Sequence, residues 1–273
     1  MSDTLTDKYC VIGNPIAHSK SPQIHAAYAA ATGQDISYER CLAPLDGFDA
    51  TVRRLVAEGY RGANVTVPFK LEAFQLATRL LDRARAAGAV NTLVFEGGEI
   101  IGDNTDGPGL VADIVRNAGV PLAGKRILML GAGGAARGAM LPLLLEQPRE
   151  LVIANRTLAT AEALARDFPS FADRIAVRGF AQVEGGFDVV INATSASLSA
   201  ELPPIPPGVF CQDTLALDMM YGNKPTVFME FAASHGAQVR DGLGMLVEQA
   251  AEAFAIWRGV RPDTADVLKS MRQ

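Results

Sequence analysis

The sequence predicts an α/β protein of two domains, each built on a mostly parallel sheet covered by helices. Its 273 residues exceed the usual size of one small domain. Segments with strand patterns alternate with segments of helical pattern, which is typical of parallel strands joined by helices. Apolar runs such as residues 187–195 and 214–221 lack polar alternation, which indicates strands buried on both faces.

The first third of the chain contains clear boundary signals. Ser21 and Asp46 are candidate N-caps of helices, and Pro22 would occupy the first helical position after Ser21. Gly97 and Gly98 separate two apolar strands and predict a hairpin, hence a local antiparallel edge. These signals predict strands at residues 9–13, 36–43, 63–67, 89–95 and 99–105, and helices at residues 21–32, 47–58 and 68–87.

The remainder of the chain repeats the alternation after residue 106. Helices are predicted at residues 110–118, 134–146, 225–236 and 243–257, and strands at residues 125–130, 150–157, 187–195 and 214–221. We therefore divide the chain into a first domain, residues 1–106 plus 241–273, and a second domain, residues 107–240.

Composition argues against several classes of function. Hydrophobic residues make up 49% of the chain and charged residues 20%, which is enough apolar surface for a sizeable core. The net charge of −5, without a basic run, argues against nucleic acid or an anionic membrane as partner. Three scattered cysteines provide no disulfide framework. His18 and His25 lack nearby Cys or paired acids, so we predict no metal site.

Neither secretion nor a membrane span is predicted. The first ten residues are polar and carry acids, unlike the charged and then apolar order of a signal peptide. The most apolar window, residues 127–145, contains Arg137 and many small residues, whereas a span needs about 20 nearly uncharged apolar residues. We therefore expect a cytoplasmic protein. Its expected partner is a small molecule, and the sequence leaves open whether it is a monomer or a homodimer.

The segment GAGGAA, residues 131–136, follows an apolar strand and precedes an amphipathic helix. It fits the pattern G-x-G-x-x-G/A, in which Gly131 permits a tight turn, Gly133 lets the backbone approach a pyrophosphate and Ala136 allows close packing. A purely structural turn is the alternative. In this strand–turn–helix context we predict a Rossmann-like domain whose dinucleotide contacts Gly131, Ala132, Gly133, Gly134 and Ala135.

The end of the next strand distinguishes NAD from NADP. NAD sites place an Asp or Glu there for the ribose 2′-hydroxyl, but this chain has Asn155, Arg156 and Thr157. A guanidinium lies well on adenine and binds a 2′-phosphate. We therefore predict NADP as the cofactor, with these three residues as contacts, although Thr157 is also a candidate N-cap.

Polar side chains also follow the strands of the first domain. Lys70, Asn91 and Asp106 lie at predicted strand ends, where ligands bind in α/β sheets. Ser19 and Ser21 flank a helix N-terminus, and their hydroxyls suit a carboxylate. Structural alternatives exist, since Ser21 and Asp106 are plausible helix caps and Asn91 is a plausible buried amide.

Several segments occur in a fixed order along the chain: GNPIAHSKSPQIH, NVTVPFK, AVNTL, DNTDGPG, GAGGAA, NRT, NATS and GLGMLVEQAAEAF. Together they closely resemble the shikimate dehydrogenase family, NADP-dependent enzymes that reduce 3-dehydroshikimate to shikimate in chorismate and aromatic amino acid biosynthesis. The resemblance extends from Tyr9 to about Gly259. It implies a substrate-binding N-terminal domain, an NADP-binding second domain, a cleft between them, and a last helix that packs on the first domain.

The resemblance also implies roles for individual residues. Lys70 and Asp106 look like the catalytic pair, and Ser19 and Ser21 look like the carboxylate-binding serines. Further positions similar to substrate ligands are Thr66, Asn91, Asp106, Tyr221 and Gln249, and positions similar to the nicotinamide side are Asp82, Met219 and Gly242. Two loops depart from the family pattern: Ser197 stands where Gly is usual, and Gly222-Asn223 follow the tyrosine where Asn-Pro is more common.

The implied chemistry explains why a lysine would lie at a strand exit. Interconversion of a secondary alcohol and a ketone by hydride transfer also moves one proton. The Lys70 ammonium would donate to the ketone and the amine would accept from the alcohol, with Asp106 orienting it. A dehydrogenase for quinate, or for quinate and shikimate, is the near alternative. A catalytically silent NADP-binding regulator of the same fold is a more distant one.

Overall fold

The computed structural model describes residues 6–272. The chain divides into two compact units, the first running up to Gly109 and resuming at Val247, the second spanning Leu110–Leu246. Each unit contains one six-stranded sheet. The predicted two-domain α/β class is therefore confirmed.

The sheet of the first unit is mixed. Its strands are β1 (Asp7–Gly13), β2 (Ile36–Leu42), β3 (Tyr60–Val65), β4 (Arg79–Leu80), β5 (Thr92–Glu96) and β6 (Glu99–Asp103). Their order across the sheet is β2-β1-β3-β5-β6-β4. β1 is parallel to β2 and β3, whereas β5 is antiparallel to both neighbours. The antiparallel strand thus lies inside the sheet, not at its edge as predicted, because β4 pairs with the far side of β6.

The helices up to residue 112 are α1 (Ser21–Thr32), α2 (Phe48–Ala57), α3 (Lys70–Leu76), α4 (Asp82–Ala87) and α5 (Asp106–Ala112). The two predicted caps are wrong. α1 begins at Ser21, so Lys20 and not Ser21 occupies its N-cap position, and no side chain caps the helix. The Ser21 hydroxyl is instead bonded to the Ser19 hydroxyl. α2 has Gly47, not Asp46, at its N-cap.

The single helix predicted at residues 68–87 is interrupted. Between α3 and α4, the N–H of Thr78 donates to the carbonyl of Ile100 at 2.8 Å, and β4 then pairs with β6. Pairing with the sheet edge satisfies backbone groups that β6 would otherwise leave without partners. The helix predicted at residues 110–118 also differs, since α5 starts at Asp106 and continues as a π-helical turn, Asp113–Asn117.

The sheet of the second unit is entirely parallel. Its strands are β7 (Arg126–Leu130), β8 (Glu150–Ala154), β9 (Ile175–Arg178), β10 (Val189–Asn192), β11 (Leu215–Asp218) and β12 (Gln238–Arg240), and its helices are α6 (Gly134–Leu145), α7 (Leu158–Arg166) and α8 (Val227–Ser234). The order β9-β8-β7-β10-β11-β12 is that of a Rossmann sheet, with the reversal between β7 and β10. Two helices close the chain, α9 (Leu243–Arg258) and α10 (Ala265–Met271).

Each sheet buries its own apolar cluster. In the first unit, Phe48 of α2 and Phe69, which precedes α3, are buried and stack with ring centroids 5.0 Å apart. Truncating such a side chain to alanine costs about 3–5 kcal/mol. In the second unit the central strands are buried along their length, as their continuous apolar runs predicted.

No helix within residues 6–272 is both long and apolar enough to span a membrane. Cys10, Cys41 and Cys211 are free thiols. Cys10 is buried, Cys41 is partly buried and Cys211 is exposed.

His25 of α1 is buried among aromatic rings. Its ring stacks on Tyr38 with centroids 4.1 Å apart, and the Trp257 ring lies 5.4 Å away. Neither ring nitrogen has a hydrogen-bond partner among residues 6–272. Burial lowers the pKa of His25 from 6.5 to about 3, against a smaller opposing effect of the Asn64 side chain. The fold therefore accommodates the neutral ring.

We expect the free energy of unfolding to fall as pH drops from 6.5 towards about 3. In that window the unfolded chain binds a proton on His25 that the folded chain does not, which contributes up to about 1.4 kcal/mol per pH unit. Urea unfolding of wild type and His25→Phe between pH 4 and 7 measures this slope. The variant keeps an aromatic ring and should lose part of the slope, and identical slopes would contradict the assignment.

Candidate active site

The fold brings together the two residues that the sequence predicts as a catalytic pair. Lys70 is the first residue of α3, and Asp106 is the first residue of α5. Lys70 Nζ donates to Asp106 Oδ2 at 2.6 Å, and the two side chains are 32% and 23% exposed. A pair this open to water contributes only about 1 kcal/mol or less to stability. Its main effect is therefore to orient the ammonium.

Asn91 connects this pair to two further elements. The predicted strand at residues 89–95 would contain Asn91, but β5 begins at Thr92, so Asn91 lies just before the strand. Its Nδ2 donates to Asp106 Oδ1 at 2.8 Å, to Thr105 Oγ1 at 3.0 Å and to Gln249 Oε1 at 3.4 Å. Its Oδ1 accepts from the N–H of Thr105 at 2.8 Å. The amide is buried and satisfied at both ends, as buried polar groups require.

Gln249 reaches this cluster from α9. Its side chain is buried, and Oε1 also accepts from Thr105 Oγ1 at 3.3 Å. A Cβ on Gly109 would lie 2.6 Å from the backbone nitrogen of Gln249, so α5 approaches α9 more closely than a side chain permits. The glycine therefore lets the glutamine stand beside Asn91.

Ser19 and Ser21 form a second polar group in the first unit. Ser19 Oγ donates to Ser21 Oγ at 3.2 Å and accepts from the Ser21 N–H at 3.3 Å. The Arg40 guanidinium holds the Ser19 carbonyl through bonds of 2.6 and 3.1 Å. Thr66 lies beside the end of β1, where a Cβ on Gly13 would come within 2.5 Å of Thr66 Cγ2. β3 ends at Val65, so Thr66 follows the strand instead of lying within it.

Sequence reasoning did not assign several buried polar neighbours of these groups. They are Asn64, Thr92, Asn104 and Thr105. Asn104 Oδ1 accepts from the Asp106 N–H at 3.1 Å, and Asn64 Oδ1 accepts from the Tyr38 hydroxyl at 2.7 Å. For Asn104 and Thr105 the available signal was the unbroken polar run at residues 103–106, which directly follows an apolar strand.

The glycine turn of the second unit leaves the backbone open. Gly131 has a φ of 101°, a conformation that favours glycine. Gly133 is the N-cap of α6, and no atom lies within 4 Å of a Cβ built on Gly133 or Gly134. Ala136 is buried where α6 packs, as predicted. A Cβ on Gly131 would lie 3.1 Å from Thr194 Cγ2, so the turn lies at the reversal between β7 and β10.

The end of β8 carries no acid. Asn155 Nδ2 donates to the Thr157 carbonyl at 2.9 Å. Thr157 occupies the N-cap position of α7, but its hydroxyl makes no capping bond. Arg156 is exposed, and it has no hydrogen bond or ion pair with any of residues 6–272. This end of the strand therefore suits a 2′-phosphate better than a free ribose 2′-hydroxyl, which would need an acidic partner.

The residues predicted on the nicotinamide side divide between the two units. In the second unit, Gly242 meets Met219 so closely that a Cβ would collide with the Met219 carbonyl oxygen. Tyr221, which is predicted as a substrate ligand, also belongs to the second unit; it is 40% exposed, and partial burial raises its pKa. In the first unit, Asp82 is 90% exposed and pairs with Arg85 at 2.8 Å. The structure therefore joins Met219 to Gly242 and leaves Asp82 paired within α4.

Ser197, one of the two departures from the family pattern, belongs to a partly buried hydrogen-bond network. Its hydroxyl donates to Asp218 Oδ2 at 2.6 Å and accepts from Asn192 Nδ2 at 3.1 Å. Thr226 Oγ1 donates to the same carboxylate oxygen at 2.7 Å. The serine thus ties together the loops that follow β10 and β11. Within residues 6–272, no group of three or more His, Cys, Asp or Glu could hold a metal ion.

Three family models match successive parts of the chain. The shikimate dehydrogenase substrate binding domain matches residues 11–93, the shikimate/quinate 5-dehydrogenase model matches residues 113–200, and the shikimate 5′-dehydrogenase C-terminal domain matches residues 242–272. Together they cover most of both units.

Whole-chain relatives agree with these matches. A protein of Herminiimonas arsenicoxydans named shikimate dehydrogenase (NADP(+)) is 65% identical over 98% of each chain. The crystal structure of an Ael1 enzyme from Pseudomonas putida has a TM-score of 0.94 and 50% identity over 98% of each chain. Shikimate 5-dehydrogenase from Thermus thermophilus, solved with NADP(H) and shikimate, has a TM-score of 0.85 and 31% identity over 97% of this chain and 98% of that one.

Proposed function

The chain belongs to the shikimate dehydrogenase family, and on that premise we propose that it catalyses the reversible NADPH-dependent reduction of 3-dehydroshikimate to shikimate. This is an oxidoreductase step on a CH–OH group in chorismate and aromatic amino acid biosynthesis. One observation carries the proposal: the 2.6 Å bond between Lys70 and Asp106, held by Asn91 beside Gln249. The names of the relatives support the substrate and the cofactor.

Lys70 transfers the proton of the proposed reaction. An ammonium beside the ketone oxygen polarises it and donates a proton as the alcohol forms, and in the reverse direction the amine accepts it. Asp106 stabilises the ammonium and fixes its direction through the bond to Nζ. Asn91 and the side chain of Asn104, which accepts from the Asp106 N–H, hold that residue in turn.

The polar groups of the first unit match the chemistry of a ring that carries a carboxylate and hydroxyls. We assign the carboxylate to Ser19 and Ser21, whose hydroxyls lie together before and at the start of α1. We assign the ring hydroxyls to Thr66, Asn91 and Gln249, which supply neutral donors and acceptors. Tyr221 of the second unit stays a predicted substrate ligand.

The residues of the second unit fit NADP. The open backbone of Gly133 and Gly134 at the N-terminus of a 12-residue helix suits a pyrophosphate. Arg156, which pairs with no group in residues 6–272, suits a 2′-phosphate, with Asn155 and Thr157 beside it. NADPH supplies the hydride when bound. Ala132 and Ala135 of the same turn, and Asp82, Met219 and Gly242, stay predicted cofactor contacts.

Quinate is the second candidate substrate, because one matching family model covers shikimate and quinate enzymes alike. We expect reduction of NADP by the purified protein with shikimate, and much less with quinate or with NAD. Following absorbance at the reduced-nicotinamide band in the four combinations measures this. Turnover with none of them would contradict the proposed function, and equal turnover with quinate would replace it by a mixed specificity.

We expect Lys70→Met to lower kcat by about 10²–10⁴-fold, the usual contribution of a positioned proton donor. The variant keeps a long apolar side chain, so shikimate should still bind, as measured by calorimetry. Lys8→Met, which changes an exposed lysine on β1, is the matched control and should retain full activity. A kcat near that of wild type in Lys70→Met would exclude Lys70 as the proton carrier.

We expect Arg156→Ala to raise the KM for NADP by about 10–100-fold, since a charge-assisted bond to phosphate is worth roughly 1.5–3 kcal/mol. The KM for NAD, which lacks the 2′-phosphate, should change little. Arg166→Ala alters an exposed arginine on α7 and serves as the control. An unchanged KM for NADP would show that another group binds the phosphate.

A further inference from the structure

An unbroken series of ion pairs runs through the first unit, separate from the Lys70–Asp106 pair. In order along the series its members are Asp103, Arg83, Glu252, Arg261 and Glu248. Asp103 and Glu248, the two ends, are 1% exposed, whereas both arginines are slightly more than a quarter exposed. Thr264 Oγ1 completes the series by donating to Glu248 at 2.6 Å.

Arg83 is the member that connects separate elements. From α4, its Nε and Nη2 donate to both carboxylate oxygens of Asp103 at the end of β6, at 3.1 and 2.5 Å. Its Nη1 donates to Glu252 Oε1 on α9 at 2.6 Å. Burial alone would raise the pKa of Glu252, but the hydrogen bonds and charges of Arg83 and Arg261 together outweigh it and the pKa is lowered. The Arg83–Glu252 bridge is therefore fully charged at neutral pH.

At its Asp103 end, the series continues directly into the loop that carries Asp106. Asp103 Oδ1 accepts from the N–H of Asn104 at 2.7 Å, and the Asp103 carbonyl accepts from the N–H of Asn91 at 3.1 Å. Asn104 Oδ1 then accepts from the N–H of Asp106 at 3.1 Å. Two residues, Asp103 and Asn104, therefore connect Arg83 to Asp106, whose carboxylate orients Lys70.

At its other end, the series holds the helix that carries Gln249. Glu248 precedes Gln249 on α9, and Glu252 follows it by about one turn. Arg261 donates to both carboxylates, at 2.5 and 2.8 Å. Because Glu252 is shared between the two arginines, the position of Gln249 along α9 is tied to the position of Asp103.

We propose that Arg83 is a positioning residue for the proposed reaction: its guanidinium sets the distance between the Asp106 loop and the Gln249 helix. The proposal rests on the proposed function, since Asp106 and Gln249 matter only if they bind and process substrate. Arginine is required because its planar guanidinium donates two parallel N–H groups to one carboxylate. Its remaining nitrogen, Nη1, can then donate to Glu252. A lysine ammonium is a point charge and cannot hold that geometry.

The test compares Arg83→Lys with Arg79→Lys. Arg83→Lys keeps the charge beside buried Asp103, so the protein should fold. Arg79 lies on β4 and forms an exposed pair with Glu99 at 3.2 Å, so it is a matched control. We expect Arg83→Lys to lower kcat about 10-fold, because small misplacements of reacting groups cost up to about 100-fold. The KM for NADP should stay within about twofold of wild type, and Arg79→Lys should match wild type.

Amide hydrogen exchange gives a second measurement that needs no turnover. In Arg83→Lys, the amides of residues 104–106 should exchange faster, while those of β1 and β3 keep wild-type protection. Wild-type kcat together with wild-type exchange at residues 104–106 would overturn the proposal. Uniformly faster exchange across the first unit would also overturn it, since Arg83 would then act on stability alone.

The two failures are distinguishable. If the wild type does not oxidise shikimate, the proposed function fails, and the exchange at residues 104–106 still decides whether Arg83 positions that loop. Should Arg83→Lys not fold, Glu252→Gln replaces it, because it removes the charge at the α9 end of the same bridge. That variant should show the same local exchange and a kcat lowered about threefold, and wild-type values for both would overturn the proposal.

Discussion

The hydrogen bonds of the buried Asn91 side-chain amide are the interactions on which the rest of the candidate site in the first unit depends. An amide offers two N–H donors and one acceptor oxygen with two lone pairs. Here the donors serve Asp106, Thr105 and Gln249, and the oxygen accepts from Thr105 and Thr92. A buried polar group left without a partner costs about 1–3 kcal/mol, so these contacts stabilise the position of the amide.

The backbone of Asn91 adds to the same constraint. Its N–H donates to the carbonyl of Asp103 and its carbonyl accepts from the N–H of Val65. One residue therefore fixes the ends of β3 and β6 by main-chain bonds and orients the Asp106 carboxylate by its side chain. Acid–base chemistry needs pre-organisation of this kind, because an ammonium that points away from the reacting atom cannot transfer a proton to it.

In the second unit, the proposed NADP site consists mainly of backbone groups rather than side chains. The backbone of this turn is open at the start of α6, because no atom lies within 4 Å of a Cβ built on Gly133 or Gly134. Free N–H groups at such a helix N-terminus suit an anion. Side chains contribute at two places: Arg156, the proposed 2′-phosphate ligand, follows β8, and Ser197 donates to Asp218 at the end of β11. Ser197 shows how a departure from a family pattern is accommodated: the added hydroxyl finds a buried carboxylate.

The sequence by itself determined the α/β class, the glycine turn and the phosphate-compatible end of β8, because each depends on residues within one strand–turn–helix segment. Only the tertiary structure decided which polar groups meet. Nothing local distinguishes Arg83 from the exposed Arg85, yet Arg83 bonds Glu252, 169 positions away. The helix expected at residues 68–87 was lost for the same reason, since pairing with the edge of β6 overrides local helical pattern. Hydrogen-bond and ion-pair partners are chosen by where distant segments pack, and that information is not present in any single stretch of chain.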